Sequence, residues 1–188
     1  MTPAFETGQP HTGAELQQSL GTLLAAGTAY LATLPDGRFF APQGSAWSPA
    51  EHVRHLVKSA TPLAVGLRLP RWMLTLRFGR GRGTSRSLAQ LREVYAAALA
   101  AGGTAGRFTP SPQPPPADPV GRRREIMANW ARATVELQQA AARWPEEALD
   151  RHQLPHPLLG PLTAREMLAF TVLHTAHHLR RVAERAGM

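Results

Sequence analysis

The sequence predicts an all-α fold: a four-helix bundle with a long irregular insertion and a short extra helix. Three observations predict it. Four long stretches repeat apolar side chains at helical spacing, two of them open with complete N-terminal capping signals, and no stretch alternates apolar with polar residues as a half-buried strand does. At 188 residues the chain is long enough for one well-buried core, so 1–188 is read as a single domain with a flexible N-terminus over 1–13.

The first helix, over 14–34, carries Leu16, Leu20, Leu23, Tyr30, Leu31 and Leu34 at helical spacing, and Pro35-Asp36-Gly37 ends it with turn residues. The second begins in WSPAEHVRHLVKSATPLAVGLRL. Ser48 stands at the N-cap, Pro49 at the first helical position and Glu51 three residues after the cap, which is a capping box. Residues 70–120 break the pattern with RFGRGRGTSRS, a short Ala-rich helix near Ser87–Ala101, and FTPSPQPPPADP, whose prolines hold the backbone extended. This part reads as an insertion or a long wrapped connection. A third long helix over Gly121–Trp144 places Ile126, Trp130, Ala133, Leu137 and Ala141 on one side. After PEEALDRHQLPHPLLGP the last helix opens with Thr163 and Glu166, a second capping box, and continues to the end of the chain.

Composition narrows the chemistry. Hydrophobic residues make up 43% and charged residues 18%, an ordinary globular balance. There is no cysteine, so disulfides and thiolate metal sites are excluded and any metal must be held by His, Asp or Glu. The net charge of +8 is concentrated between Lys58 and Arg92, which hold eight basic residues and no acidic one, while the remainder has thirteen of each sign. A basic start followed by an apolar run is missing from the opening residues, and no stretch approaches a bilayer span, so a cytoplasmic protein without membrane contact is expected.

The segment FTVLHTAHHLRR puts three histidines within five positions of a helix that must bury a face. With Met167 at zero on a helical projection, the apolar arc runs from about 300° through zero to about 140°, and His174 near 340° and His178 near 20° fall inside it. His177, near 280°, falls at the edge. Histidines four apart can bring two ring nitrogens to one ion, although two independently satisfied imidazoles give the same spacing. A bundle metal site needs a ligand from a facing helix, and EHVRHL supplies His52 and His55. The stripe of Val53, Leu56, Ala60, Leu63 and Leu67 favours His52 by periodicity, while taken as isolated histidines both read as surface or half-buried residues.

WSPAEHVRHLVKS resembles the second-helix signature of the DinB-like superfamily, in which Trp-Ser-x-x-Glu is followed by His-Leu. HPLLGPLTAREMLAFTVLHTAHHLRRV resembles that family's closing segment, with a Gly before the last helix and His-x-x-His-His inside it. The resemblance covers residues 14–69 and 121–185. It implies a four-helix bundle, commonly a homodimer, with a three-histidine site for a divalent ion such as zinc, nickel or iron. The positions that match are His55, His174 and His178, with His52 as the reserve for the first ligand and His177 and Glu51 beside the site. Members of known chemistry include transferases and isomerases that use low-molecular-weight thiols such as bacillithiol or mycothiol.

Three imidazoles leave an open coordination position, where an ion can lower the pKa of a bound water or thiol. Without cysteine in the chain, the thiol would come from a cosubstrate. The leading expectation is therefore a metal-dependent thiol transferase or isomerase acting on a small molecule. The alternatives are a metal-dependent hydrolase, a non-catalytic dimeric scaffold, and weak nucleic-acid binding through RFGRGRGTSR. That segment lacks a Gly-Lys-Ser/Thr loop and has no stacking aromatic beyond Phe78, so nucleic acid is not the expected partner. Glu51 is already explained by its cap, Arg54, Arg180 and Arg181 are candidates for an anionic group or for solvent, and Trp47, Trp130 and Phe170 are read as core. Three histidines suit zinc, nickel, iron and copper alike.

Overall fold

The computed structural model describes residues 5–42, 44 and 46–186. Its elements in chain order are α1 (Gly13–Ala32), α2 (Asp36–Phe40), α3 (Pro49–Arg68), α4 (Arg71–Phe78), α5 (Leu88–Ala100), a 3-10 turn (Gly106–Phe108), α6 (Pro119–Ala141), α7 (Glu146–Arg151), β1 (Gln153–His156), β2 (Gly160–Thr163) and α8 (Ala164–Ala186). Helices α1, α3, α6 and α8 form the four-helix bundle, with α1 and α3 each packed against both α6 and α8. Their apolar stripes meet in one core, where Leu16, Leu23, Leu31, Trp130, Leu137, Leu168 and Val172 are buried.

Side chains satisfy the helix N-termini. The Thr12 hydroxyl accepts from Glu15 N–H while the Glu15 carboxylate accepts from Thr12 N–H, and the same reciprocal box closes α3 through Ser48 and Glu51. Thr163 and Glu166 form it on α8, as their spacing predicts. At Gly27 the close approach of α1 to its neighbours requires the missing side chain: a Cβ there would stand 2.6 Å from the Trp130 ring and 2.9 Å from Leu179.

Several expectations need correction. The flexible N-terminus expected over 1–13 does not describe residues 5–12, and residues 1–4 lie outside the described part. Phe5 is 1% exposed and packs edge-on against Tyr30, its carbonyl accepts from Arg180, and the His11 carbonyl accepts from Arg165. Pro35 does not simply end the first helix but leads into α2, which buries Phe39 and Phe40; the Arg123 guanidinium lies over Phe39 and bonds Asp36 and the carbonyls of Leu31 and Leu34. A strand pair exists where none was expected: β1 and β2 are antiparallel with Leu154 opposite Leu162 and Pro155 opposite Pro161. Proline removes ladder donors and hides the period-two pattern, so the segment reads as a loop.

The 70–120 stretch is a wrapped connection whose apolar residues join the core, with Leu74, Leu88 and Leu91 buried. Its arginine-rich part straps across α7 and the start of α8. Gly81 N–H donates to the Arg151 carbonyl, and Arg86 donates from its backbone and guanidinium to Glu166. Among the described residues no helix is long and apolar enough to cross a membrane.

Candidate metal centre

Two facing helices bring the imidazoles together. On α8, His174 and His178 are one turn apart and share the inward face; on α3, His55 projects toward them across the bundle. His174 Nε2 lies 3.0 Å from His55 Nε2 and 3.0 Å from His178 Nε2. The ligand-capable nitrogens of His55, His174 and His178 all lie within 4.8 Å of one another, and all three residues are buried.

The hydrogen-bond chemistry of this cluster fits a cation. His55 Nδ1 is 2.9 Å from the Phe108 carbonyl, which only accepts, so Nδ1 carries the proton and Nε2 presents its lone pair inward. His174 Nε2 faces two neighbours, and a single ring N–H points along one line only. Three converging imidazoles therefore cannot satisfy one another, whereas one positive ion satisfies all three lone pairs. Burial holds His174 and His178 well below the ordinary histidine range, with neighbouring histidines adding to the effect. Burial also lowers His55, against the pull of the Phe108 carbonyl. All three are neutral at pH 7, the form a metal requires.

Around these ligands the expected neighbours separate. His52 is not one of the three: its Nδ1 lies 2.8 Å from His178 Nδ1, and its Nε2 is buried without a hydrogen-bond partner among the described residues. Burial and the neighbouring His55 push His52 down to about 3. His177 sits half-buried at the rim, 5.7 Å from the Tyr95 ring. Glu51 is committed elsewhere, with one oxygen capping Ser48 and the other accepting Gln113 N–H. Arg54 and Arg180 bond backbone carbonyls, those of Ser111 and Phe5, while Arg181 is exposed. Trp47, read as core, instead stacks at 11° over His178 and lies 5.0 Å from His55, forming a half-buried wall of the site. Phe170 stacks on His174, and Trp130 lies in the core as expected.

An extended strap from the proline-rich segment covers this face of α3. The carbonyls of Phe108, Thr109 and Ser111 accept from His55, Lys58 and Arg54, and Gln113 N–H donates to Glu51. Beside the histidines lies a cavity of about 410 Å³ walled by Leu63, Phe78, Tyr95, Leu158 and Phe170. Tyr95, His156 and the Phe108 carbonyl were not singled out by the sequence. Tyr95 follows Leu88 and Leu91 at helical spacing and carried a usable signal; His156, between prolines, and a main-chain carbonyl carried none.

The sequence model of the DinB superfamily matches residues 23–182, from within α1 nearly to the end of α8. The chain belongs to the DinB superfamily. All three candidate ligands of this DinB-superfamily chain lie inside the matched range. Its fold is similar to that in the crystal structure of TT2238, a four-helix bundle protein, at a TM-score of 0.56 and 20% identity over 91% of this chain and 98% of that one. No curated protein matches the chain. Of the two histidines of α3 in this superfamily member, His55 is the one whose ligand-capable nitrogen lies within 4.8 Å of those of His174 and His178.

Proposed function

We propose that the protein is a metal-dependent enzyme in which His55, His174 and His178 hold a divalent ion, zinc, nickel or iron, and a low-molecular-weight thiol is activated for transfer to, or isomerisation of, a small-molecule substrate. The convergence of three neutral imidazole nitrogens beside a half-open, mostly apolar cavity carries this reading. When bound, the ion supplies Lewis acidity that lets a coordinated thiol lose its proton near neutral pH. The chain's own residues prepare the place: the Phe108 carbonyl fixes the His55 ring, His52 accepts from or donates to His178, and Trp47 covers the imidazoles from the solvent side.

Elemental analysis of the purified protein, followed by conjugation assays of small thiols with electrophiles before and after chelation, tests the reading. Metal at one ion per chain and thiol conjugation that chelation abolishes are expected. Metal-dependent ester or amide hydrolysis without thiol consumption would replace the transferase with a hydrolase, and a protein that takes up no divalent ion would overturn the proposal.

A homodimer in the cytoplasm belongs to the same proposal. Supporting it, Val65 and Leu69 at the end of α3 and Trp72, Met73 and Leu76 on α4 expose apolar side chains, Leu76 at 81% and Trp72 at 67%.

A further inference from the structure

His156 takes no part in the three-histidine cluster, yet its surroundings fix its chemistry. Its Nδ1 accepts backbone N–H groups from Leu158, at 3.2 Å, and from Leu159, at 3.0 Å. An imidazole nitrogen that accepts two hydrogen bonds bears the lone pair, so the proton of the neutral ring resides on Nε2. The turn that locks this tautomer is stiff: Pro155 and Pro157 flank the histidine, and Gly160, opposite it in the hairpin, closes the turn at φ 73°. Burial keeps the ring from becoming an imidazolium until the pH falls to about 4. Nε2–H makes no hydrogen bond to the described residues and is not sealed from solvent, and His156 lines the cavity. It is a fixed, neutral donor with no internal acceptor.

Its position relates it to the metal ligands. The His156 ring meets Phe170 edge-on at 4.3 Å, and Phe170 stacks on His174 at 5.2 Å. One aromatic ring thus touches both the free donor's imidazole and a candidate ligand. The cavity lining is mostly hydrocarbon and aromatic, with the hydroxyls of Ser59, Thr104, Thr171 and Thr175 among it; no acidic side chain of the described residues lines it, and the one formally charged lining residue, Arg107, is exposed with its guanidinium over Phe108. A ligand that leaves water for such a wall forfeits the hydration of any charge it carries along it, while one polar acceptor can be satisfied by one fixed donor.

We propose that this cavity binds an uncharged, mostly apolar small molecule bearing a carbonyl-type acceptor, and that His156 Nε2–H donates to that acceptor. The inference rests on the cavity being the substrate site of the proposed enzyme, and the binding it describes does not require the ion. It assigns the apolar, acceptor-bearing partner of the reaction rather than the thiol.

The test uses the full chain, as purified and after chelation, with two fluorescent probes: prodan, a neutral naphthyl ketone, and 2-(dimethylamino)naphthalene, which lacks the ketone. Prodan is expected to bind both forms with blue-shifted emission. In His156→Asn the amide oxygen stands where Nδ1 stood and keeps accepting the turn's N–H groups, but the Nε2–H donor is gone. That variant is expected to bind prodan about three- to tenfold more weakly while binding the ketone-free probe unchanged. An equal loss for both probes makes His156 a structural residue and overturns the assignment. Should His156→Asn fail to fold, the infrared carbonyl stretch of prodan bound to the unaltered protein decides: a shift to lower frequency supports a donated hydrogen bond, and an unshifted band overturns it. Failure of prodan to bind either form, or tighter binding of a naphthyl carboxylate that Arg107→Ala abolishes, overturns the ligand class. Elemental analysis after incubation with divalent ions reads the metal separately, so a protein that takes up no ion yet binds prodan through His156 refutes the enzyme reading and leaves the carbonyl-binding cavity standing.

Discussion

His55 Nε2 and His174 Nε2 stand 3.0 Å apart although 119 positions of chain separate them. Two imidazoles held this close by neighbouring helices, with His178 as the third corner, make metal content the most direct readout of the site. His55→Ala, His174→Ala and His178→Ala are each expected to abolish binding of one equivalent of divalent ion, and His177→Ala to retain it. Zinc titration against a competing chelator measures this, and retention of full affinity in His55→Ala with loss in His52→Ala would transfer the ligand role.

His52 acts on the site through His178, Nδ1 to Nδ1 at 2.8 Å. Partners of metal-bound histidines fix the ring's tautomer and orientation, and removing one typically costs about 10- to 100-fold in metal affinity. His52→Ala is therefore expected to weaken zinc binding within that range without eliminating it. An affinity equal to that of the unaltered protein would leave the contact without a role.

Buried neutral histidines make the metal-free protein sensitive to acid. His52 and His156 protonate near 3 and 4 in the folded state, against an ordinary value of 6.5. Between those values the unfolded chain takes up protons that the native state refuses, so stability is full above about pH 6.5 and falls as the pH drops toward 4. Thermal melting of chelated protein at pH 7.5, 6 and 5 should show a descending Tm, with a shallower descent in His156→Asn. A Tm constant from pH 7.5 to 5 would contradict the burial of these rings.

Gly27 has no room for a methyl group. A Cβ there would lie 2.6 Å from Trp130 and 2.9 Å from Leu179, both fixed by the core rather than free to swing. Gly27→Ala is expected to destabilise by about 1–3 kcal/mol despite the better helix propensity of alanine. Urea denaturation measures it, and a stabilised variant would show that α1 can withdraw from its neighbours at no cost.

For the proposed homodimer, the exposed Trp72 and Leu76 are the residues to alter. The double variant Trp72→Glu, Leu76→Glu should run as a monomer in light-scattering chromatography at concentrations where the unaltered chain runs as a dimer, with its melting behaviour retained. An unaltered chain that is already monomeric removes the proposal.

The bundle was legible because its helices announce themselves twice, by apolar period and by capping boxes at Ser48/Glu51 and Thr163/Glu166. His174 and His178 were legible by rotation about the same axis. The choice on α3 was not, because His52 and His55 are both buried, at 7% and 3% exposure. The strap from the proline-rich segment covers the side of α3 that a bundle of four helices would leave in water, which widens the buried face beyond the stripe of Val53, Leu56 and Leu63. Phe5 and the hairpin escaped for a related reason: one aromatic residue has no period, and prolines at 155, 157 and 161 mask the alternation.

The strap grips α3 almost entirely through its main chain, offering carbonyls at Phe108, Thr109 and Ser111 and an N–H at Gln113. Such a clamp is indifferent to the spelling of the segment but intolerant of a change in its length. The side chains of the strap can be rewritten with the His55 ring kept in place, whereas one residue inserted or deleted between the 3-10 turn and Gln113 would throw Thr109, Ser111 and Gln113 out of step with the helix and leave the Phe108 carbonyl, inside the turn, as the remaining grip.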